Sequence, residues 1–453
     1  MKKLALYISL ALMTASCGVY TKYEQKTEVP ENLYGLSIQA TDTTSTGDIA
    51  WREMFTDPLL QGLIEKALNQ NTDLLSASLR VTEAEAALKA SKLAYLPAFA
   101  LAPQGTVSSY DGGKASQIYS LPLTASWELD LNGKLRNSKK QAAALLAQSK
   151  DYQQAVQCQI IAAVANTYYT LLMLDEQLAI TRSTIISWEE TLEATRALYD
   201  AGMTNEIAVQ QLQASVAGVK ASELDLVKQI DEVENSMSLL LAETPHAISR
   251  GKLSDQQFTS EISAGVPLKL LASRPDVRAA ERNLEKAFYA TNSARSSFYP
   301  SLTLSGSVGW TNNSGIGIQN PAKILASAVA SLTQPLFARG QLNAQLKIAK
   351  AQQEEAELQF TQTLLNAGVE VNDALKAYQT AKAKADLYAA QVENLDKAYK
   401  NTMLLMEYGN ATYIEVLNAQ QTFLSAQLNQ TANRFAEIQS VITLYNALGG
   451  GAK

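Results

Sequence analysis

The stretch Ser301-Leu302-Thr303-Leu304-Ser305-Gly306-Ser307-Val308-Gly309-Trp310 decides how this chain folds. Its even positions are Leu302, Leu304, Gly306, Val308 and Trp310, and its odd positions are Ser, Thr or Gly. A period of two sends alternate side chains to opposite faces of a strand, so one face suits an apolar medium and the other suits water. A sandwich or the wall of a membrane barrel would use such a strand. The same phase occurs earlier, where Phe99, Leu101 and Val107 fall at the positions of Leu302, Leu304 and Trp310. The strand that returns from it carries Tyr119, Leu121, Leu123, Ala125, Trp127 and Leu129 in alternation with Ser120, Thr124, Ser126, Glu128 and Asp130.

Outward from these hairpins the whole chain repeats. Asp73 and Asp276, like Pro97 and Pro300, stand 203 residues apart, whereas Gly133 and Gly340, like Gly202 and Gly409, stand 207 apart. The second hairpin loop is therefore four residues longer. A period near 200 marks a duplicated domain, not a solenoid of short units. Each copy reads as helix, strand, strand, long helix, helix, break, helix.

The helices follow from spacing and punctuation. Asp57 and Pro58 start a short amphipathic helix through Leu63, Ile64, Ala67 and Leu68. A second runs from Asp73 to Tyr95 and stops at Pro97. From Lys134 to about Leu174 no Pro or Gly interrupts a narrow apolar stripe, which predicts a helix of roughly 60 Å after one of about 35 Å. A further helix is expected to return from about Asp175 to Leu198 and to end at Gly202. In the second copy the expected spans are Gly340 to about Tyr378, Thr380 to Met406 and Thr412 to Leu448, with Thr412 and Glu415 forming a capping box. The alanine-rich stripes point to lateral helix packing instead of a thick globular core.

Composition narrows the function. With 47% hydrophobic and 18% charged residues and a net charge of -6, the chain lacks the basic surface that nucleic-acid binding needs. One histidine, His246, leaves little for acid–base or metal chemistry, and no nucleophile elbow, metal-ligand cluster or phosphate-binding glycine loop occurs. The chain does not read as an enzyme, and no cofactor is expected beyond a covalent lipid. Met1-Lys2-Lys3 and the apolar run Leu4 to Met13 form an export signal too short to span a membrane. Thr14-Ala15-Ser16-Cys17 then looks like a lipobox, with Cys17 as the lipid attachment site, although Thr14 replaces the usual Leu or Val. Ordinary cleavage near Ser16 is the alternative. Cys158, inside a helical pattern, reads as packing.

These boundaries give a signal at 1–16, a lipid-anchored tether at 17–50, and a first repeat at 51–244 with its hairpin at about 98–131. A linker follows at 245–273, then a second repeat at 274–448 with its hairpin at about 301–337, and a tail at 449–453. Four alternating strands cannot close a barrel alone, because a bare sheet edge cannot be left in lipid. Several chains must share one barrel; two would give eight strands and three would give twelve.

Trp51 to Leu68 with Asn71-Thr72-Asp73-Leu74, Arg274-Pro275-Asp276-Val277-Arg278-Ala279-Ala280-Glu281, Phe298-Tyr299-Pro300-Ser301-Leu302, Trp127-Glu128-Leu129-Asp130-Leu131 and Gln334-Pro335-Leu336-Phe337 resemble the TolC-like outer-membrane factors. The lipoprotein branch that serves resistance-nodulation-division efflux pumps is the nearest match. The resemblance implies a membrane α+β fold: a homotrimer with a twelve-stranded outer-membrane β-barrel that continues into a periplasmic α-helical barrel. It implies an equatorial belt around Gly202, Gly409 and the chain termini. A periplasmic adaptor and an inner-membrane transporter would meet the helix tips. It also implies passive conduction of small molecules through a gate where the long helices turn. Glu370-Val371-Asn372-Asp373-Ala374-Leu375 looks like the tip segment, with Asp373 as the gate-lining acid and Asn166 at its place in the first copy. The bland alternative makes Asp373 a solvated helix residue. Trp127 and Trp310 read as interface anchors, and Arg274 and Asp276 as stabilisers of a helix start. Two rival functions are the exit duct of a type I protein-secretion system and a periplasmic coiled-coil scaffold or adaptor. The scaffold leaves the paired hairpins unexplained.

Overall fold

The computed structural model describes residues 22–24, 33, 45–256, 273–311 and 323–452. The signal, Cys17, most of the tether and the longer loop of the second hairpin lie outside those residues. Twelve elements position the functional features. They are α1 (Pro58–Gln70), α2 (Thr72–Leu93), β1 (Ala98–Leu101), β2 (Gln104–Ser108), β3 (Ser116–Leu129), α3 (Lys134–Asp200) and α4 (Glu206–Leu240). The second half supplies α5 (Pro275–Ser296), β4 (Ser301–Thr311), β5 (Lys323–Thr333), α6 (Gln341–Glu407) and α7 (Tyr413–Ala447). The repeat holds element by element: α2 and α5 have 22 residues each, α3 and α6 have 67, and α4 and α7 have 35.

One expectation about the helices is wrong. No helix returns at Asp175; α3 runs unbroken from Lys134 to Asp200, and α6 runs unbroken past Tyr378. Nothing between Lys134 and Ala201 is a Pro or Gly, so the strongest helix-stopping residues are missing there. The apolar stripe changes partners instead. Ile160, Val164, Tyr168 and Leu171 join one buried cluster, and Ile185 and Trp188 join another with Val216 and Val219.

The chain turns at the glycines. Gly202 and Gly409 adopt φ of +72° and +73°. Met203 N–H donates to Leu198 O at 2.8 Å, and Asn410 N–H donates to Leu405 O at 2.8 Å. These are the same bond one repeat apart, and they close each helix on a left-handed residue that glycine adopts without strain. Asn205 then caps α4 by accepting from Ala208 N–H at 3.1 Å, while Thr412 and Glu415 form the capping box of α7.

The chain divides into two compact units: Met1–Lys26, Leu79–Asp151 and Arg278–Gln362 form one, and Thr27–Ser78, Tyr152–Val277 and Thr363–Lys453 form the other. The first contains the sheet, ordered β1-β3-β4-β5 with β2 also on β3, and all its pairings are antiparallel. The second has a thicker core than the alanine-rich stripes suggest. Phe55, Leu60, Ile64, Val164, Tyr168, Leu171, Ile438 and Tyr445 are buried together, with Phe55 and Tyr445 edge to face at 5.9 Å. The large side chains that fill it come from Phe55 and α1, from the middle of α3 and from the last turns of α7, a convergence that the stripe of any single long helix does not reveal. Asp57 begins α1 as read from the sequence, accepting from Leu59 N–H at 2.9 Å. Its other oxygen accepts from Tyr168 Oη at 2.6 Å and Gln256 Nε2 at 2.9 Å. Burial, together with that hydrogen bond to Asp57, pushes the Tyr168 phenol up and keeps it a donor.

Candidate channel wall and gate

The wall is the sheet, and its register sorts the side chains. Phe99 faces Ala125, and Leu101 faces Leu123. Leu121, Leu123, Trp127 and Leu129 face Trp310, Val308, Leu304 and Leu302, while Leu302 and Trp310 in turn face Leu332 and Ile324. Partners in register share a face, so one surface of four adjacent strands is almost wholly apolar. Phe99, Leu123, Trp310, Ile324 and Leu332 on it remain exposed in the single chain. The opposite surface pairs Thr124 with Ser307, Ser126 with Ser305 and Thr303 with Ser331, and Ser307 and Ser327 hydroxyls meet at 2.8 Å. Trp127 and Trp310 lie on the apolar surface. Trp310 is level with Leu121, six residues from Trp127 along β3, a spacing of about 20 Å. A barrel wall has an apolar band about 25 Å tall with aromatic girdles at both rims, and the two indoles fit those rims. The Trp127 indole N–H donates to Tyr95 O at 2.9 Å, which fixes the lower ring where strand gives way to helix.

Pro122 sits inside β3, a central strand, where proline is normally excluded. The structure accommodates it by pointing the missing donor toward the sheet edge. Ala102 N–H donates to Pro122 O at 3.0 Å, and proline returns nothing, so β1 and β2 separate at that pair while their register on β3 stays continuous. On the other side Pro122 faces Gly309, where a Cβ would come within 2.2 Å of Leu121 O. Below the strands Asp130 accepts from Leu135 N–H at 3.0 Å and Arg136 N–H at 2.8 Å, which binds the strand end to the start of α3.

The gate reading needs correction in its placement. The long helices turn at Gly202 and Gly409, and Glu370 to Leu375 lies in the middle of α6. Asp373 is exposed on that helix, 36 residues before Gly409, or about 54 Å along the axis. It is therefore not a tip residue. The expected belt also separates: among the described residues, the C-terminal segment and Leu33 pack along α3 and α6, far in sequence from the glycine turns. Gln154 Nε2 and Gln157 Nε2 donate to Ala452 O and Gly451 O at 2.9 and 3.0 Å. Tyr445 Oη donates to Ile49 O at 2.8 Å, and Leu33 fills the notch at Gly368, where a Cβ would meet Leu33 O at 2.5 Å. Asn166 is a mid-helix residue like Asp373, and its side-chain oxygen is buried without a partner.

Arg274 does more than start a helix. Its guanidinium, 7% exposed as a residue, donates to both Asp276 oxygens at 2.9 and 2.6 Å, to Glu370 Oε2 at 2.6 Å and to the Ala447 carbonyl at 3.0 Å. Burial pushes the Asp276 carboxyl up, but the hydrogen bonds and charge of Arg274 outweigh burial and hold it below the usual carboxylate range. The first copy has a neutral counterpart. Asn71, one repeat before Arg274, donates to the Leu240 carbonyl at 3.0 Å, and Leu240 is one repeat before Ala447. In each copy the residue before a 22-residue helix ties down the last turn of the 35-residue helix. These contacts span 169 and 173 positions, and only the duplicated spacing itself could have pointed to them. His246 packs locally, with Nδ1 2.9 Å from Thr244 O, and Cys158 is buried.

Comparison with known proteins agrees with this architecture. The family model described as outer membrane efflux protein matches residues 63–243 and 266–450. The toluene efflux pump outer membrane protein TtgC of Pseudomonas putida is 26% identical, over 97% of this chain and 94% of its own. The cation efflux system protein CusC of Escherichia coli is 25% identical, over 98% and 97%. The solved outer-membrane channel OprN aligns with a TM-score of 0.87 at 25% identity, covering 96% of this chain and 100% of its own. The open-state structure of the Neisseria gonorrhoeae channel MtrE gives 0.86 at 27%, covering 96% and 98%. The two matched segments coincide with the two copies of the repeat, and the chain belongs to the outer membrane efflux protein family, the outer-membrane channel components of efflux pumps.

Proposed function

We propose that this chain is the exit duct of a tripartite efflux pump, closed by three copies and anchored in the outer membrane by a lipid on Cys17. It conducts small molecules passively, from an inner-membrane transporter of the resistance-nodulation-division class and a periplasmic adaptor to the exterior. The observation that carries this reading is the sheet: one apolar face, an opposite face that is mostly Ser and Thr on β3 and β4, and, among the described residues, two edges left unpaired at β1/β2 and β5. Unpaired backbone in lipid is costly, so the edges call for neighbouring copies, and three copies of four strand positions give a closed twelve-stranded wall. TtgC and CusC, equally distant from this chain, carry names for a hydrocarbon solvent and for cations. That contrast supports placing cargo choice in the transporter and not in the duct.

The gate belongs, in this proposal, at the helix turns around Gly202 and Gly409, where the adaptor engages the tips. Asp373 lines the duct at mid-helix as an exposed carboxylate; copies of it around an axis repel one another and attract cations. Planar-bilayer recording of the purified protein tests both statements. Stepwise cation-selective conductance is expected. Asp373→Ala reduces cation selectivity, and substitutions at the turns raise resting conductance. Absence of any conductance from correctly inserted protein refutes the duct, and turn variants with wild-type leak refute the gate. Mass spectrometry of the mature N-terminus decides the lipid: a diacylglyceryl Cys17 is expected, and an unmodified terminus near Ser16 overturns it.

A further inference from the structure

The duplication contains a template for how copies of this chain meet. Within one chain α3 and α5 lie side by side. Arg278 Nε donates to Asp151 Oδ1 at 2.9 Å, Arg282 Nε lies 3.9 Å from Asp151 Oδ2, and Lys286 Nζ donates to Gln148 Oε1 at 3.0 Å. The flanking joints are α2 on α3, through Glu85 and Lys150 at 3.4 Å, and α5 on α6, through Thr291 Oγ1 and Ala349 O at 3.1 Å. The four helices thus form a row in which α2 and α6 are the ends.

Moving the α3–α5 joint one repeat along the chain produces a joint between α6 and α2. Those two helices stand at opposite ends of the row, so only a second copy can supply the partner. The offsets then name the residues. With 207 added, Asp151 becomes Leu358; with 203 subtracted, Arg282 becomes Leu79 and Arg278 becomes Leu75. All three replacements are leucine, and all three are exposed in the single chain, at 68%, 65% and 50%. A surface leucine alone needs no explanation. Three leucines on two helices, each standing where the intrachain joint has a charge, do.

We propose that α6 of one copy docks on α2 of the next through Leu358 against Leu79, with Leu75 alongside. The chain's own joint is ionic, and the joint between copies is apolar. This rests on the ring-closure reading above and gives it a residue-level seam. The contact is heterologous, head to tail, and closes when the rotation completes a ring. The same operation brings the free β5 edge to the free β1/β2 edge of the next copy, so helices and strands ask for one neighbour. An apolar seam is not weakened by charge screening, whereas exposed ionic joints weaken as salt screens them.

Cysteine pairing in the full-length protein in outer membranes tests the seam. Leu79→Cys combined with Leu358→Cys, oxidised with copper phenanthroline, is expected to give two- and three-chain bands on non-reducing gels, which each single variant lacks. An oligomeric double variant without those bands overturns the seam and leaves the ring standing. A chain that is monomeric in the membrane even without substitution removes both. Charge replacement provides a second reading. Leu358→Asp is expected to cut the yield of assembled protein at least tenfold, and adding Leu79→Arg in the same chain should restore it by recreating the Asp151–Arg282 arrangement. A double variant assembled no better than Leu358→Asp alone refutes the pairing.

Discussion

Helices α2 and α5 hold the same place in the repeat and live in opposite surroundings. Both have 22 residues, and both follow a residue that ties down a distant helix end. Yet among the described residues α5 has no fully exposed position, whereas α2 exposes Leu75, Leu79 and Leu93. Duplication fixed the backbone, and the side chains then diverged according to what each helix meets. The internal joint carries charges that pair within the chain, and the corresponding positions of the other copy carry leucines. What differs between the copies is therefore a map of what touches self and what touches a neighbour.

The tie at the helix start is the sharpest place to break this comparison. Arg274→Ala strands the Asp276 and Glu370 carboxylates and frees the Ala447 carbonyl, and should cost about 3 kcal/mol in denaturant unfolding. Asn71→Ala removes one neutral bond to Leu240 and should cost about 1 kcal/mol. Equal losses would mean that the charge at Arg274 adds nothing. Next in size is Asp151→Leu, which gives the internal joint the character of the seam. It leaves Arg278 and Arg282 without their shared carboxylate and should lower chain stability by about 2 kcal/mol without abolishing assembly.

The glycine turns should respond alike. Gly202→Ala and Gly409→Ala force a Cβ onto residues at positive φ with nothing within 4 Å to clash, so the cost is conformational only, about 1 kcal/mol at each. A clear inequality would show that one turn is held by contacts the single chain lacks. The smallest effect is pH-dependent. The Asp276 carboxyl lies below its ordinary value of 3.8, so its contribution is present above that value and is lost as pH falls below it. The acid limb of a thermal-unfolding profile should flatten in Asp276→Asn, and an unchanged limb assigns acid sensitivity elsewhere.

Much of this fold is legible in the residues, because the signals are local and occur twice. Alternation in 301–310 gives the sheet its two faces, and the offsets give the duplication. Gly202, Gly409, Asp57 and the Thr412 capping box mark helix ends by chemistry confined to a turn. The continuity of α3 past Leu174 is harder to read, because a helix that changes partners and a helix that ends look the same along an apolar stripe. The tip placement of Asp373 rests on the resemblance of Glu370 to Leu375 to the family's tip segment, and in a 67-residue helix that segment falls at the midpoint. The Arg274 clamp escapes because its acceptor is a backbone carbonyl 173 positions away, and a carbonyl leaves no mark in a sequence.

The equal lengths of α3 and α6, and of α4 and α7, carry a consequence for how such a chain can change. A seven-residue deletion from one long helix would shorten it by about 10 Å and leave its twin overhanging. The paired turns at Gly202 and Gly409 would then stand at different heights. Compensation requires removing the same heptad from the other long helix and from both 35-residue partners. The helical segments therefore act as matched gauge blocks whose dimensions are inherited together, and variation in length is left to the hairpin loops, where the two copies already differ by four residues.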